Sequence, residues 1–128
     1  MELAVILLIL GYGMIGWFLY SQLAPVKGLK TLTNREFAEQ LKNSNNKILI
    51  DVRVPREYEL GHIPGAVNIP LPDLKKRIKE IPQDKEIFLY CRSGMRSKQA
   101  ARILSHRGFR NLKHLHGGIM AWDEIIHY

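Results

Sequence analysis

The sequence predicts an α/β domain, a largely parallel sheet covered by helices on both faces, preceded by one transmembrane helix. Three observations carry this. Short apolar runs (KILID, AVNI, EIFLY and the sequence around Leu112 to Leu115) alternate with segments whose apolar residues recur at helical spacing, the pattern of a parallel sheet. The first 20 residues contain an 18-residue stretch, Leu3 to Tyr20, without a charge. The single cysteine, Cys91, directly follows one apolar run and precedes a helical pattern. That places it beyond the carboxyl end of a strand, where open α/β sheets bind their ligands.

As a helix, Leu3 to Tyr20 spans roughly 27 Å, slightly short of a hydrocarbon core of about 30 Å. Ser21 to Ala24 can extend it, and Trp17 and Tyr20 suit the membrane interface. A secretory signal would open with basic residues and carry a shorter apolar run, whereas only Met1 and Glu2 precede this one. A helix apolar on every side is also hard to bury in a domain of this size. The expected division is therefore a membrane anchor and linker over residues 1–25 and one domain over 26–128, with residues 3–24 in the membrane. All 19 Lys and Arg follow the apolar run, so the positive-inside rule predicts a single-pass protein with its carboxyl-terminal domain in the cytoplasm. A lone cysteine agrees with a reducing compartment.

Ser21 to Lys30 reads as a linker. Thr33-Asn34-Arg35-Glu36 is a capping-box pattern that opens a helix with Phe37, Ala38 and Leu41 on one face, ending in Asn43 to Asn46. Lys47 to Asp51 reads as a buried strand, and Arg56 to Leu60 as one or two helical turns stopped by Gly61. Ala66 to Ile69 is a short strand after the Pro64-Gly65 turn. Pro72 suits an early helix position, with Leu74, Ile78 and Ile81 continuing at helical spacing. Glu86 to Tyr90 is the strand before Cys91, and the helix after it runs to about Arg107, stopped by Gly108. Leu112 to Leu115 is the last strand. Gly117-Gly118 leads into a terminal helix with Ile119, Trp122, Ile125 and Ile126 as its core face.

The chemistry concentrates after Glu86 to Tyr90. A cysteine behind an apolar run is most often a small core residue, but Arg92, Ser93, Gly94, Met95, Arg96 and Ser97 are wrong for a core. Loop N–H groups and the first turn of a helix present partial positive charge to an anion, and Arg92 and Arg96 add full charges. Such a setting favours a thiolate, which makes Cys91 the candidate nucleophile. Asp51 and Arg53, at the end of the neighbouring strand, read as supporting residues, with Arg53 pairing to Glu57 and Asp51 to loop N–H groups. Of the five histidines only His114 and His116 are spaced to share one side of a strand, and no metal site is expected. The formal net charge of +7 favours anionic ligands or an anionic membrane surface. No motif or aromatic platform points to nucleic acid.

Three blocks of sequence then resemble the rhodanese-like single-domain sulfurtransferases over nearly all of residues 30–128. The first is Ile50-Asp51-Val52-Arg53, Glu57-Tyr58, Gly61-His62-Ile63-Pro64-Gly65-Ala66 and Asn68-Ile69-Pro70. The second is Tyr90-Cys91-Arg92-Ser93-Gly94-Met95-Arg96-Ser97. The third is Gly108-Phe109, Leu115, Gly117-Gly118 and Ala121-Trp122. The resemblance implies a parallel sheet of about five strands flanked by helices on both faces. It implies that Cys91 carries a persulfide between half-reactions, cradled by the N–H groups of residues 92–96, with Asp51, Arg53, Glu57 and Ser97 in support. The donor would be a small anion such as thiosulfate or a protein persulfide, and the acceptor a thiol or cyanide. No cofactor is implied, because the cysteine itself carries the sulfur. Arg92 and Arg96 would contact the donor's oxygens. Two rivals are a membrane-tethered binding or persulfide-carrier module and a cysteine phosphatase or arsenate reductase. The phosphatases place five residues between cysteine and arginine, whereas four separate Cys91 from Arg96.

Overall fold

The computed structural model describes residues 2–128. Helix α1 (Leu3–Leu23) is 21 residues long, about 31 Å, and none of its residues is buried. It is long and apolar enough to cross a membrane. The domain follows as β1 (Leu29–Leu32), α2 (Asn34–Asn43), β2 (Lys47–Asp51), α3 (Pro55–Glu59), β3 (Val67–Asn68), β4 (Glu86–Tyr90), α4 (Met95–His106) and β5 (Leu112–Leu115). The five strands form one sheet in the order β1-β5-β4-β2-β3. Every pairing is parallel.

Alternation along the strands divides the core between the two faces. Ile50, Val52, Ile87 and Leu89 pack with Ala100, Ala101 and Leu104 of α4 and with Leu74 and Ile81. Leu49, Phe88 and Tyr90 pack on the other side with Phe37 of α2 and Ile63, joined at the edge by Tyr58 of α3. Phe37 meets Phe88 edge-on at 5.4 Å. The capping box forms as its sequence predicts. Thr33 Oγ1 accepts from the Glu36 N–H at 3.3 Å, and Glu36 Oε1 accepts from the Thr33 N–H at 3.0 Å.

Three expectations are corrected. Part of the supposed linker is sheet, because Leu29–Leu32 pairs with Leu112–Leu115 as the edge strand β1. The segment after Pro72 is two separate single turns of 3₁₀ helix, Leu71–Asp73 and Ile78–Glu80. Pro72 supplies no amide donor, and Pro82 disfavours helical continuation past Ile81. The terminal helix is absent. A single 3₁₀ turn, Gly118–Ala121, is followed by extended chain that exchanges two backbone hydrogen bonds with His62, at 2.9 and 2.8 Å, through His127. Ile125 is consequently exposed rather than core.

Chain direction sets the functional end. From β2 the chain moves outward to β3, and from β4 it moves the opposite way to β5, so the β2–β4 boundary is the switch point of the sheet. Asp51 and Tyr90 are paired there in register, which brings the segments after them side by side.

Candidate active site

Cys91 follows the last residue of β4, with Gly94 and α4 ahead of it. Gly94 has φ +112°, a conformation that favours glycine, and it turns the loop back so that its own N–H donates to Cys91 Sγ at 3.0 Å. Ser97, in the first turn of α4, sits behind the sulfur with Sγ to Oγ at 3.6 Å. Cys91 itself is 1% exposed.

The loop is held from outside by residues whose role the sequence did not reveal. The N–H groups of Ile119 and Met120 donate to the carbonyls of Cys91 and Arg92 at 2.9 and 3.1 Å. Both carbonyls are thereby engaged by the segment after β5. Gly118 makes the approach possible, since a Cβ there would stand 2.3 Å from Arg92 O and 2.6 Å from Cys91 O at a φ of +61°. Gly118→Ala is accordingly expected to cost about 2–4 kcal/mol and to displace the loop. The melting temperature of the variant checks this, and a shift of less than a few degrees would count against it.

The neighbouring strand ends in a buried ion pair. Asp51 is fully buried and Arg53 is 5% exposed. Arg53 Nη2 donates to Asp51 Oδ2 at 2.7 Å, its Nε reaches both carboxylate oxygens at 3.0 Å, and its backbone N–H donates to Oδ1 at 2.9 Å. A further bond from Nη2 to Gly61 O at 2.7 Å fixes the loop after α3. Asn68 Nδ2 clamps the carbonyls of Asp51 and Arg53 at 2.9 Å each. Burial acts most strongly against the Arg53 charge, but Asp51, together with smaller contributions from Tyr90 and Glu57, outweighs it, so the guanidinium's basicity is raised.

The expected partnership of Arg53 with Glu57 is thus corrected. Glu57 instead binds Arg96, with bonds of 2.7 and 3.1 Å. The Arg96 guanidinium holds the Glu57 carboxyl below its ordinary range, and Glu57 raises Arg96 in turn. The pair is part-exposed, which limits its contribution to stability. It ties α3 to the first turn of α4, and it commits the charge of Arg96. Arg92, Ser93 and Met95 lie exposed at the loop's surface, with Arg92 the exposed guanidinium of the loop.

A buried histidine lies beneath Ser97. His114 Nδ1 is 2.9 Å from Ser97 Oγ, and its Nε2 is 3.0 Å from Thr31 Oγ1 on β1. Burial, aided by the positive charge of Lys98 and by His116, pushes the imidazole down from 6.5 to about 4. Between those values the unfolded chain binds the proton that the folded chain refuses, so stability falls as pH falls through this window, by about 1.4 kcal/mol per unit. Chemical denaturation between pH 7 and 4.5 checks this. The slope is expected to flatten in His114→Asn, and an unchanged slope would remove His114 as its source.

Comparison with known proteins agrees with this geometry. The family model described as "Rhodanese-like domain" matches residues 33–125. The chain is 42% identical over 113 residues to a Bacillus subtilis protein, "Uncharacterized protein YqhL", covering 88% of this chain and 84% of that one. A "Sulfurtransferase" of Allochromatium vinosum is 36% identical over 91 residues, 71% of this chain and 85% of that protein. Among solved structures, a rhodanese-related protein from Thermoplasma volcanium is similar with a TM-score of 0.69 and 29% identity, over 77% of this chain and 97% of that one.

Proposed function

The chain belongs to the rhodanese-like family, and on that premise we propose that it transfers a sulfane sulfur through a persulfide on Cys91. In the first half-reaction the Cys91 thiolate attacks the outer sulfur of a donor such as thiosulfate. A new S–S bond forms, the donor's own S–S bond breaks, and sulfite leaves with the electron pair. In the second, a thiol or cyanide takes the outer sulfur and Cys91 returns as thiolate.

The observation that carries this reading is the Gly94 N–H that donates to Sγ at 3.0 Å, in a loop whose Cys91 and Arg92 carbonyls are tied to the Ile119 and Met120 amides. An N–H so placed stabilises sulfur anions at no cost in reorganisation. Arg92 is the residue left to meet an anionic donor, since Arg96 is engaged by Glu57. The four-residue spacing from Cys91 to Arg96 supports sulfur over the larger phosphoryl group. Helix α1 is the proposed membrane anchor, with the domain on the cytoplasmic side, supported by its length and by the basic residues that follow it.

The test is intact mass of the full chain in detergent micelles, before and after thiosulfate and again after cyanide. A gain of one sulfur, removed by cyanide as thiocyanate, is the expected result. No gain from thiosulfate or from a protein persulfide, in folded protein, would overturn the assignment.

A further inference from the structure

The sulfur of Cys91 is the inner end of a continuous chain of polar groups that no step of sulfur transfer has used. It runs from Cys91 Sγ to Ser97 Oγ at 3.6 Å, on to His114 Nδ1 at 2.9 Å, and from His114 Nε2 to Thr31 Oγ1 at 3.0 Å. Cys91, Ser97 and His114 are all buried, whereas Thr31 is exposed on the edge strand. The chain therefore crosses from the loop, through the sheet's edge, to solvent. His114 also borders a cavity of about 390 Å³ with Lys98, Arg102 and the end of α1 at Gln22 and Leu23.

We propose that Ser97, His114 and Thr31 form a proton relay that ionises the buried Cys91 thiol, with His114 changing tautomer rather than charge. The inference rests on Cys91 being the reactive thiol. In the thiol state the S–H donates to Ser97 Oγ, the Ser97 hydroxyl donates to Nδ1, and Nε2–H donates to Thr31 Oγ1. On ionisation the thiol proton passes to Ser97, the Ser97 proton to Nδ1, the Nε2 proton to Thr31, and the Thr31 proton to water. One proton leaves in all. Cys91 is left as a thiolate accepting from Ser97 and from the Gly94 N–H, and His114 stays neutral with its proton on Nδ1.

The surroundings favour this over a charged imidazole. Lys98 on α4 and His116 beyond β5 both oppose positive charge on His114, as does its burial. Around the sulfur, Arg96 on α4, paired with Glu57 of α3, interacts with the Cys91 charge, the Asp51–Arg53 pair ends the neighbouring strand β2, and Arg92 lies exposed in the loop. Among the described residues, the hydrogen-bond partners of the His114 ring are the Ser97 and Thr31 hydroxyls, and none is a carboxylate that would hold a second proton on it. Gly94 O, 3.1 Å from Ser97 Oγ, is the competitor for the hydroxyl proton. His114 acts through Ser97, so it is a positioning residue for the thiolate.

The experiment is nitrogen NMR of the full chain in micelles, labelled at histidine, with thiolate followed by its ultraviolet absorbance over the same pH series. The expected result is that His114 moves from the Nε2–H to the Nδ1–H tautomer with the midpoint of Cys91 ionisation. In Ser97→Ala the thiol still titrates but the tautomer stays fixed. A single tautomer throughout in the wild type, or an unchanged switch in Ser97→Ala, would overturn the relay. Alkylation of Cys91 by iodoacetamide gives a second readout. In His114→Asn the rate is expected to fall about tenfold below the thiol's midpoint and to rejoin the wild type above it. An equal rate at every pH, or an equal loss at every pH, would overturn it. Neither readout involves sulfur transfer, so failure of the proposed activity and failure of the relay are separately visible.

Discussion

Cys91→Ser is expected to abolish sulfur uptake by the full chain, a fall of on the order of a thousandfold or more, while the fold survives. A serine hydroxyl can accept the Gly94 N–H that now reaches Sγ at 3.0 Å, and it fills nearly the same space in the loop. It cannot form a stable persulfide. The stability cost is expected to be about 1 kcal/mol, because the side chain is 1% exposed and packs in an otherwise apolar cluster. The intact-mass assay reads the effect directly, with circular dichroism as the control for folding. A folded Cys91→Ser protein that still gained one cyanide-removable sulfur would place the chemistry elsewhere.

The second large effect is on stability. Asp51→Ala is expected to cost about 3–5 kcal/mol, since it strands a buried guanidinium whose remaining side-chain bond is to Gly61 O. For a domain of about 100 residues that lowers the melting temperature by more than about 12 °C. The cost comes from leaving a charge unpaired rather than from any strength of the pair. Replacing both partners, Asp51→Leu with Arg53→Met, is therefore expected to cost less than Asp51→Ala alone. Thermal unfolding of the three proteins separates the cases, and a double variant less stable than the single one would contradict this account.

Local signals carried the core of the fold in the sequence. The apolar runs of β2 and β4, the capping box of α2 and the glycine after the cysteine each act within a few residues of themselves. The edge strand β1 was hidden because LKTL is four residues long with two exposed polar side chains, and only pairing with β5 makes it a strand. The terminal segment misled for the converse reason. Ile119, Trp122, Ile125 and Ile126 have helical spacing, but the Ile119 and Met120 amides are spent on the cysteine loop and His127 is spent on His62. Tertiary hydrogen bonds overrode the local pattern. At the site, Cys91, Gly94 and Asp51 could be found by position. The Glu57–Arg96 pair, 39 residues apart, and the His114–Ser97 bond, 17 apart, become visible only once the strands are stacked.

Near the end of α1, Arg102 Nη2 donates to Ala24 O at 3.1 Å, and Ser105 Oγ donates to Lys27 O at 2.7 Å. Both side chains belong to α4, the helix that begins at the cysteine loop. A protein on a floppy tether explores a hemisphere whose radius is the length of its linker, and its effective concentration toward any one target is diluted accordingly. Here the slack has been taken up. Were α1 the membrane anchor proposed above, these bonds would restrict the height and tilt of the loop over the bilayer. Partners would then be selected by where their own sulfur sits along the membrane normal as much as by its chemistry.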